Sequence, residues 1–178
     1  MIRDDTLRAQ PDMKLEFLRG FLRHPRGVGS VVPSSRFLER RLVEFANVAQ
    51  WTSVVELGPG TGGTTRAILR AMRRDATLLA IELDALFAEA VGEIGDRRLF
   101  VHKGSAEFIG EALATHGLCR PHLVISGIQF STMPADIGTR IIESVRRVLA
   151  PGGLFVAYQL RSTVAELAAP IMGEPRRQ

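Results

Sequence analysis

Residues 54–63 read Val54-Val-Glu-Leu-Gly-Pro-Gly-Thr-Gly-Gly63, VVELGPGTGG. A β-branched run, Ser53–Leu57, drives into a glycine cluster, and a helix-forming stretch follows at once. Branched residues suit a strand. Glycines let the chain turn tightly and let a ligand approach the backbone with no Cβ in the way. Thr64–Arg74 then predicts a helix with Ala67, Ile68, Ala71 and Met72 on one face. The same alternation repeats outward from this stretch. Thr77–Leu83 reads as a buried strand, Ala85–Ile94 as a helix stopped by Gly95-Asp96, and Arg98–His102 as a short strand. Ala106–Thr115 reads as a helix and His122–Ser126 as a strand. Ala135–Leu149 reads as a helix stopped at Pro151-Gly152-Gly153, and Leu154–Leu160 as a fifth strand. A helix near Ser35–Ala49 and another near Pro11–Arg23 precede them. Strands alternating with helices imply crossover connections and a parallel sheet. Apolar runs without alternation imply strands covered on both faces. The fold class is α/β, doubly wound around a mostly parallel sheet.

The chain has 178 residues, enough for one domain with one substantial core. Its 46% hydrophobic and 24% charged residues exclude a disordered or collagen-like chain, and the lone Cys119 excludes a disulfide scaffold. No run approaches the ~18 apolar residues of a membrane span. The opening MIRDDTLRAQPD is too polar for a secretion signal. The net charge is +4, and Lys14 and Lys103 are the only lysines, so nearly all the base is arginine. Residues 13–41 hold seven bases against Glu16 and Glu39, a local +5 that exceeds the net charge of the whole chain. The N-terminal quarter is a basic arm suited to a phospholipid surface, a nucleic acid or a phosphate.

The glycine loop opens onto a helix N-terminus, whose free N–H groups and positive dipole end suit a nucleotide-like ligand beyond the first strand. Gly58-x-Gly60-x-x-Gly63 also satisfies the dinucleotide fingerprint, a weak match by itself. Glu56, two residues before the first glycine, would repel a pyrophosphate and welcome a cation. Glu82 ends the second strand, where an acid takes ribose hydroxyls. An adenosyl ribose with a cationic, zwitterionic arm satisfies both acids.

E-x-G-x-G-x-G after the first strand, with an acid ending the second, resembles the class I S-adenosylmethionine-dependent methyltransferases and their Rossmann-like fold. The resemblance covers about residues 27–160. It implies that Gly58, Pro59, Gly60, Thr61 and Gly62 line the methionine and ribose of the cofactor. It places Glu56 at the amino-acid end, Glu82 on the ribose hydroxyls and Leu83 against the adenine. Gly104-Ser105-Ala106 falls where the family has Gly-Asp-Ala, so Ser105 offers the adenine amino group an uncharged acceptor, with Glu107 as an alternative.

Ser126-Gly-Ile-Gln-Phe-Ser-Thr-Met-Pro134 follows the fourth strand. Adenine N-methyltransferases carry Asn/Asp-Pro-Pro-aromatic there, the aromatic stacking on the base. Phe130 is present, but the amide or acid and the paired prolines are absent. The stretch resembles instead the Ser-Gly-Leu-Pro-x-x-Ser-Met-Pro loop of bacterial phospholipid N-methyltransferases, which convert phosphatidylethanolamine towards phosphatidylcholine. Gly27-Val-Gly-Ser-Val-Val-Pro-Ser-Ser35 resembles a second segment of those enzymes. Gln129 departs from their proline, so the amine of another lipid, such as an ornithine lipid, stays open.

The resemblance implies an organisation of three segments. Residues 1–50 form a helical, basic, membrane- or substrate-facing segment, 51–160 the cofactor-binding core, and 161–178 a C-terminal tail. Met13–Arg26 has the composition of an interfacial helix, with Phe17 and Phe21 as anchors and Lys14, Arg19, Arg23 and Arg26 for anionic head groups. The same segment also reads as a helix packed on the sheet. The partners expected are a phospholipid substrate and the inner face of the cytoplasmic membrane, met peripherally, with no stable nucleic-acid partner. Ser34 and Ser35 are candidates for the lipid phosphate or the cofactor carboxylate, or else cap the following helix. Backbone carbonyls of Ser126, Gly127, Ile128 and Gln129 are candidates for orienting the amine. The four histidines show no metal-ligand spacing. RNA methylation through the basic arm and a non-catalytic cofactor-binding module are the rival readings. The family closes its sheet with an antiparallel pair after strand five. ELAAPIMGEPRRQ offers no such pair, about 20 residues short of the family pattern, so either the chain is truncated or the expected sheet ends at an exposed fifth strand.

Overall fold

The structure, a computed structural model, describes residues 36–158 and 163–173. Helix α1, Arg36–Phe45, and a short 3₁₀ turn at Val48–Gln50 lead into β1, Ser53–Leu57. Then come α2 (Gly63–Ala71), β2 (Thr77–Glu82), α3 (Ala85–Gly92) and β3 (Leu99–Lys103). A 3₁₀ turn at Ala106–Phe108 opens α4, Ile109–Thr115. After it come β4 (Leu123–Ser126), a 3₁₀ turn at Phe130–Thr132, α5 (Ala135–Val148), β5 (Leu154–Ala157) and α6 (Thr163–Met172).

The strands lie in the order β3-β2-β1-β4-β5, and every pairing among the described residues is parallel. β1 is central: Val55 pairs with Leu79 of β2 on one side and with Val124 of β4 on the other. Strand residues alternate between two apolar layers. Val55, Leu57, Leu79, Ile81 and Val124 pack with Ile109, Ile137, Ile141 and Val145 of α4 and α5. Val54, Leu78, Leu123 and Ile125 pack with Leu42, Ile68, Leu69 and Met72 from α1, α2 and the end of α2. Burial on both faces explains the continuous apolar runs in β2 and β4. Strand order reverses between β1 and β4, which opens a crevice beyond their C-terminal ends.

The fifth strand ends at Ala157 rather than at Leu160. Tyr158 N donates to Ser126 O (3.1 Å), and the expected continuation to Leu160 runs into residues outside the described ones. The expected tail contains α6. Val164, Leu167, Ala168 and Ile171 recur at helical spacing and pack on the α5 layer. Pro170 sits in the last turn, where it removes one intrahelical bond, so it does not prevent the helix. Leu167 approaches α5 at Gly138, where a Cβ would lie 3.0 Å from it. The N-terminal segment lies outside the described residues, and with it Lys14, Phe17, Arg19, Phe21, Arg23, Arg26, Ser34 and Ser35. No helix among the described residues is long and apolar enough to cross a membrane.

Candidate active site

The loop between β1 and α2 is bent by three glycines. Gly58, Gly60 and Gly62 have φ of +71°, +54° and +80°, a region that side chains avoid. Gly58 N donates to Ile81 O of β2 (3.0 Å), and Gly62 N donates to Pro59 O (3.0 Å). Gly60 N donates to Glu82 Oε2 (3.0 Å), and a Cβ on Gly60 would meet open space. Glu82 Oε1 accepts from Asp84 N (3.0 Å), and the Asp84 carboxylate caps α3 through Leu86 N and Phe87 N. Burial pushes the Glu82 carboxyl above its ordinary range, and the main-chain N–H groups oppose that shift.

Glu56 is fully buried. Thr65 Oγ1 donates to its Oε2 (2.7 Å), while Oε1 has no partner among the described residues. Burial raises its carboxyl to about 7; the Thr65 bond opposes the rise and the neighbouring Glu82 charge adds to it. A third acid, Glu39 on α1, was not singled out in the sequence. Its Oε1 lies 2.7 Å from where a Cβ on Gly63 would sit, at the positive end of α2. Its other oxygen lies 4.0 Å from Arg70 Nη2, further along α2. Three acids around one glycine loop suit a ligand carrying positive charge.

Ser105 caps the 3₁₀ turn after β3: its Oγ accepts from Glu107 N and donates to Glu107 Oε1, both at 3.2 Å. Ala106 is buried beside it, and Leu83 is half-buried after β2. Glu107 is committed to Arg140 of α5 as well as to Ser105, so its service as an adenine acceptor would require breaking that ion pair.

The loop after β4 meets the glycine loop directly. A Cβ on Gly58 would lie 3.0 Å from Ile128 Cγ1, and one on Gly127 would lie 3.1 Å from Gly58 O. Gly127 N donates to Leu57 O (2.9 Å), and the buried Ser126 Oγ accepts from Ile128 N (3.3 Å). Gln129 O accepts from Thr132 N (3.1 Å) and Thr132 Oγ1 (2.7 Å). Phe130 is 1% exposed, inside the α5–α6 layer, and so cannot present a face to a nucleobase.

Tyr158 was also missed in the sequence. Its hydroxyl is 2.9 Å from Thr64 Oγ1, and a Cβ on Gly127 would lie 2.5 Å from it. Burial pushes its phenol up to about 12, with the Glu56 charge adding to the shift. Nothing local in the sequence signals this contact, because 94 residues separate Tyr158 from Thr64. Among the described residues, no group of three or more His, Cys, Asp or Glu is placed to hold a metal ion.

No protein-family model matches the chain. It is 31% identical over 141 residues to an ornithine lipid N-methyltransferase of Singulisphaera acidiphila, covering 78% of this chain and 73% of that protein. The chain belongs to the class I S-adenosylmethionine-dependent methyltransferases.

It is also 34% identical over 106 residues to ribosomal RNA small subunit methyltransferase A of Caulobacter vibrioides. That match spans 58% of this chain and 37% of the rRNA methyltransferase. Among solved structures, the O-methyltransferase TomG of Streptomyces achromogenes, in complex with S-adenosylmethionine, superposes with a TM-score of 0.60. The match has 20% identity and covers 88% of this chain and 66% of that one, a likeness of fold.

S-adenosylmethionine is the cofactor of this methyltransferase. The residues present fit it. Glu56, whose Oε1 has no partner among the described residues, would hold the ammonium end, Glu82 would hold the ribose hydroxyls, and Gly60 leaves its surroundings open.

Proposed function

We propose that the protein N-methylates the primary amine of a membrane lipid, either an ornithine lipid or phosphatidylethanolamine. The single observation that carries this reading is the similarity to an ornithine lipid N-methyltransferase across 73% of that protein. The loop after β4 supports it, since its aromatic is sealed in the core and its glycine lies against the cofactor loop. Bound S-adenosylmethionine would supply an activated methyl with its sulfur as leaving group, and the amine nitrogen that takes it would give up a proton to water. The chain's task is alignment, which supplies most of the acceleration in such displacements. Tyr158, held protonated, and Thr64 are not bases at neutral pH. Neither therefore takes the proton that the amine must lose.

The test is incubation with labelled S-adenosylmethionine and vesicles containing phosphatidylethanolamine or an ornithine lipid. The expected result is label in the lipid fraction. Label in ribosomal RNA and none in lipid overturns the reading. It would favour adenine N-methylation, the second reading, which the matches to rRNA methyltransferases support.

A further inference from the structure

We infer that Tyr158 is a positioning residue that aims the Gly127 carbonyl at the acceptor amine; the inference rests on the lipid-amine reading above. Gly127 is held at its N–H and on one face of its Cα. Its N–H is bonded to Leu57 O, and the hydroxyl of Tyr158 and the carbonyl of Gly58 both close in on the side of its Cα where a Cβ would stand. The following peptide is planar and trans, so its C=O points opposite to the Ile128 N–H. That N–H is fixed on Ser126 Oγ. The direction of the Gly127 carbonyl is thereby set.

Of the four carbonyls of Ser126–Gln129, three already accept main-chain bonds. Ser126 O takes Tyr158 N, Ile128 O takes Phe130 N, and Gln129 O takes Thr132 N. Gly127 O accepts no hydrogen bond among the described residues. Among the carbonyls of Ser126–Gln129 it is the one that no described residue takes, and it stands beside the cofactor loop. Thr64, in the first turn of α2, anchors the phenol that closes one wall. The phenol stays protonated below about pH 12, so this wall does not change through the working range.

The chemistry of the amine gives the inference a signature. A neutral primary amine has two N–H groups, a monomethyl amine one and a dimethyl amine none. A carbonyl that orients the acceptor by taking an N–H helps the first two transfers and not the third. A merely structural tyrosine would affect all three alike.

The test uses the full chain with vesicles of phosphatidylethanolamine, its monomethyl form and its dimethyl form, and calorimetry for the cofactor. Tyr158→Phe should lower kcat about tenfold, or ~1.4 kcal/mol, on the first two acceptors. It should change the dimethyl acceptor by less than about twofold and leave cofactor affinity within about twofold, each under ~0.4 kcal/mol. Thr64→Val should reproduce the pattern, and Thr64→Ser should restore what Thr64→Val loses. An equal fall on all three acceptors, or a fall in cofactor affinity matching the rate loss, overturns the inference and leaves lipid methylation standing. Absence of transfer to any lipid amine by the unaltered protein overturns the lipid reading, and this inference with it.

Discussion

Over β1 and β2 the cleft is fixed by charge: both Glu82 oxygens take main-chain N–H groups, one from the glycine loop and one from the start of α3. Over β4 and β5 it is fixed by neutral contacts, a phenol–hydroxyl pair and close packing around Gly127. Charge-assisted bonds are roughly twice as strong as neutral ones. The cofactor side is therefore the firmer, and the acceptor side is the one a single substitution can retune. Glu56 sits between them with one oxygen satisfied and one not, belonging fully to neither.

The largest expected effect comes from Gly58, where the two sides touch. Gly58→Val forces a branched residue into positive φ and against Ile128. Strain of a few kcal/mol should abolish cofactor binding, a loss of ~100-fold or more by calorimetry, together with all transfer. Retained binding would show that the two loops do not meet as described.

Glu82→Gln addresses the charged side alone. Replacing a charge-assisted contact worth ~1.5–3 kcal/mol should weaken cofactor binding about 10–100-fold with little change in acceptor KM. An acceptor KM that rises in step would erase the distinction between the two sides.

Glu56 gives a pH test. Its folded value, about 7, lies above its ordinary 4.5, so the folded state keeps a proton that the unfolded chain has released between those values. Stability of the cofactor-free protein from this group is full below about pH 4.5 and is lost as pH rises through about 7. The loss is on the order of 3 kcal/mol. Urea unfolding from pH 5 to 8 should show that fall relative to Glu56→Gln, which lacks the titration. Cofactor affinity should rise over the same interval, because the ammonium end favours the ionised carboxylate. Parallel curves for the two proteins would place Glu56 in a wetter setting.

The smallest effect should come from the floor of the sheet, away from both sides of the cleft. Arg98 donates to Asp96 and to the carbonyls of Leu69, Met72 and Arg73 at the end of α2. A lysine cannot reproduce that fork. Arg98→Lys should lower stability by about 1–2 kcal/mol in thermal unfolding while kcat per folded molecule stays the same. A fall in kcat would mean that the floor couples to the cleft.

The cofactor side was legible because its geometry leaves local marks. Positive-φ turns demand glycines, and an acid ending a buried strand stands out in a run such as TLLAIEL. Glu39 and Tyr158 left no such mark. Glu39 looks like any polar residue of an amphipathic helix, and Tyr158 looks like one more strand residue until the chain turns it towards Thr64. Helix α6 was hidden by Pro170, whose penalty falls to one bond when it occupies a last turn. The carbonyls of Ser126–Gln129 read as equivalent in sequence. Only hydrogen-bond accounting separates Gly127 from its neighbours.

The helices flanking the sheet end in similar arginine clasps, Arg98 on α2 and Arg120 on the carbonyls of Arg147, Val148 and Leu149 at the end of α5. Their order along the chain is opposite. Arg98 lies 25–29 residues after the carbonyls it holds, whereas Arg120 lies 27–29 residues before its own. During synthesis from the N-terminus, α5 therefore emerges to find its clasp already made. The end of α2 stays open until Arg98 has left the ribosome. Each clasp closes only when its later member has been made, at Arg98 for α2 and at Leu149 for α5, so the half that carries the glycine loop can close first, and a pause in translation before residue 98 leaves it unfinished.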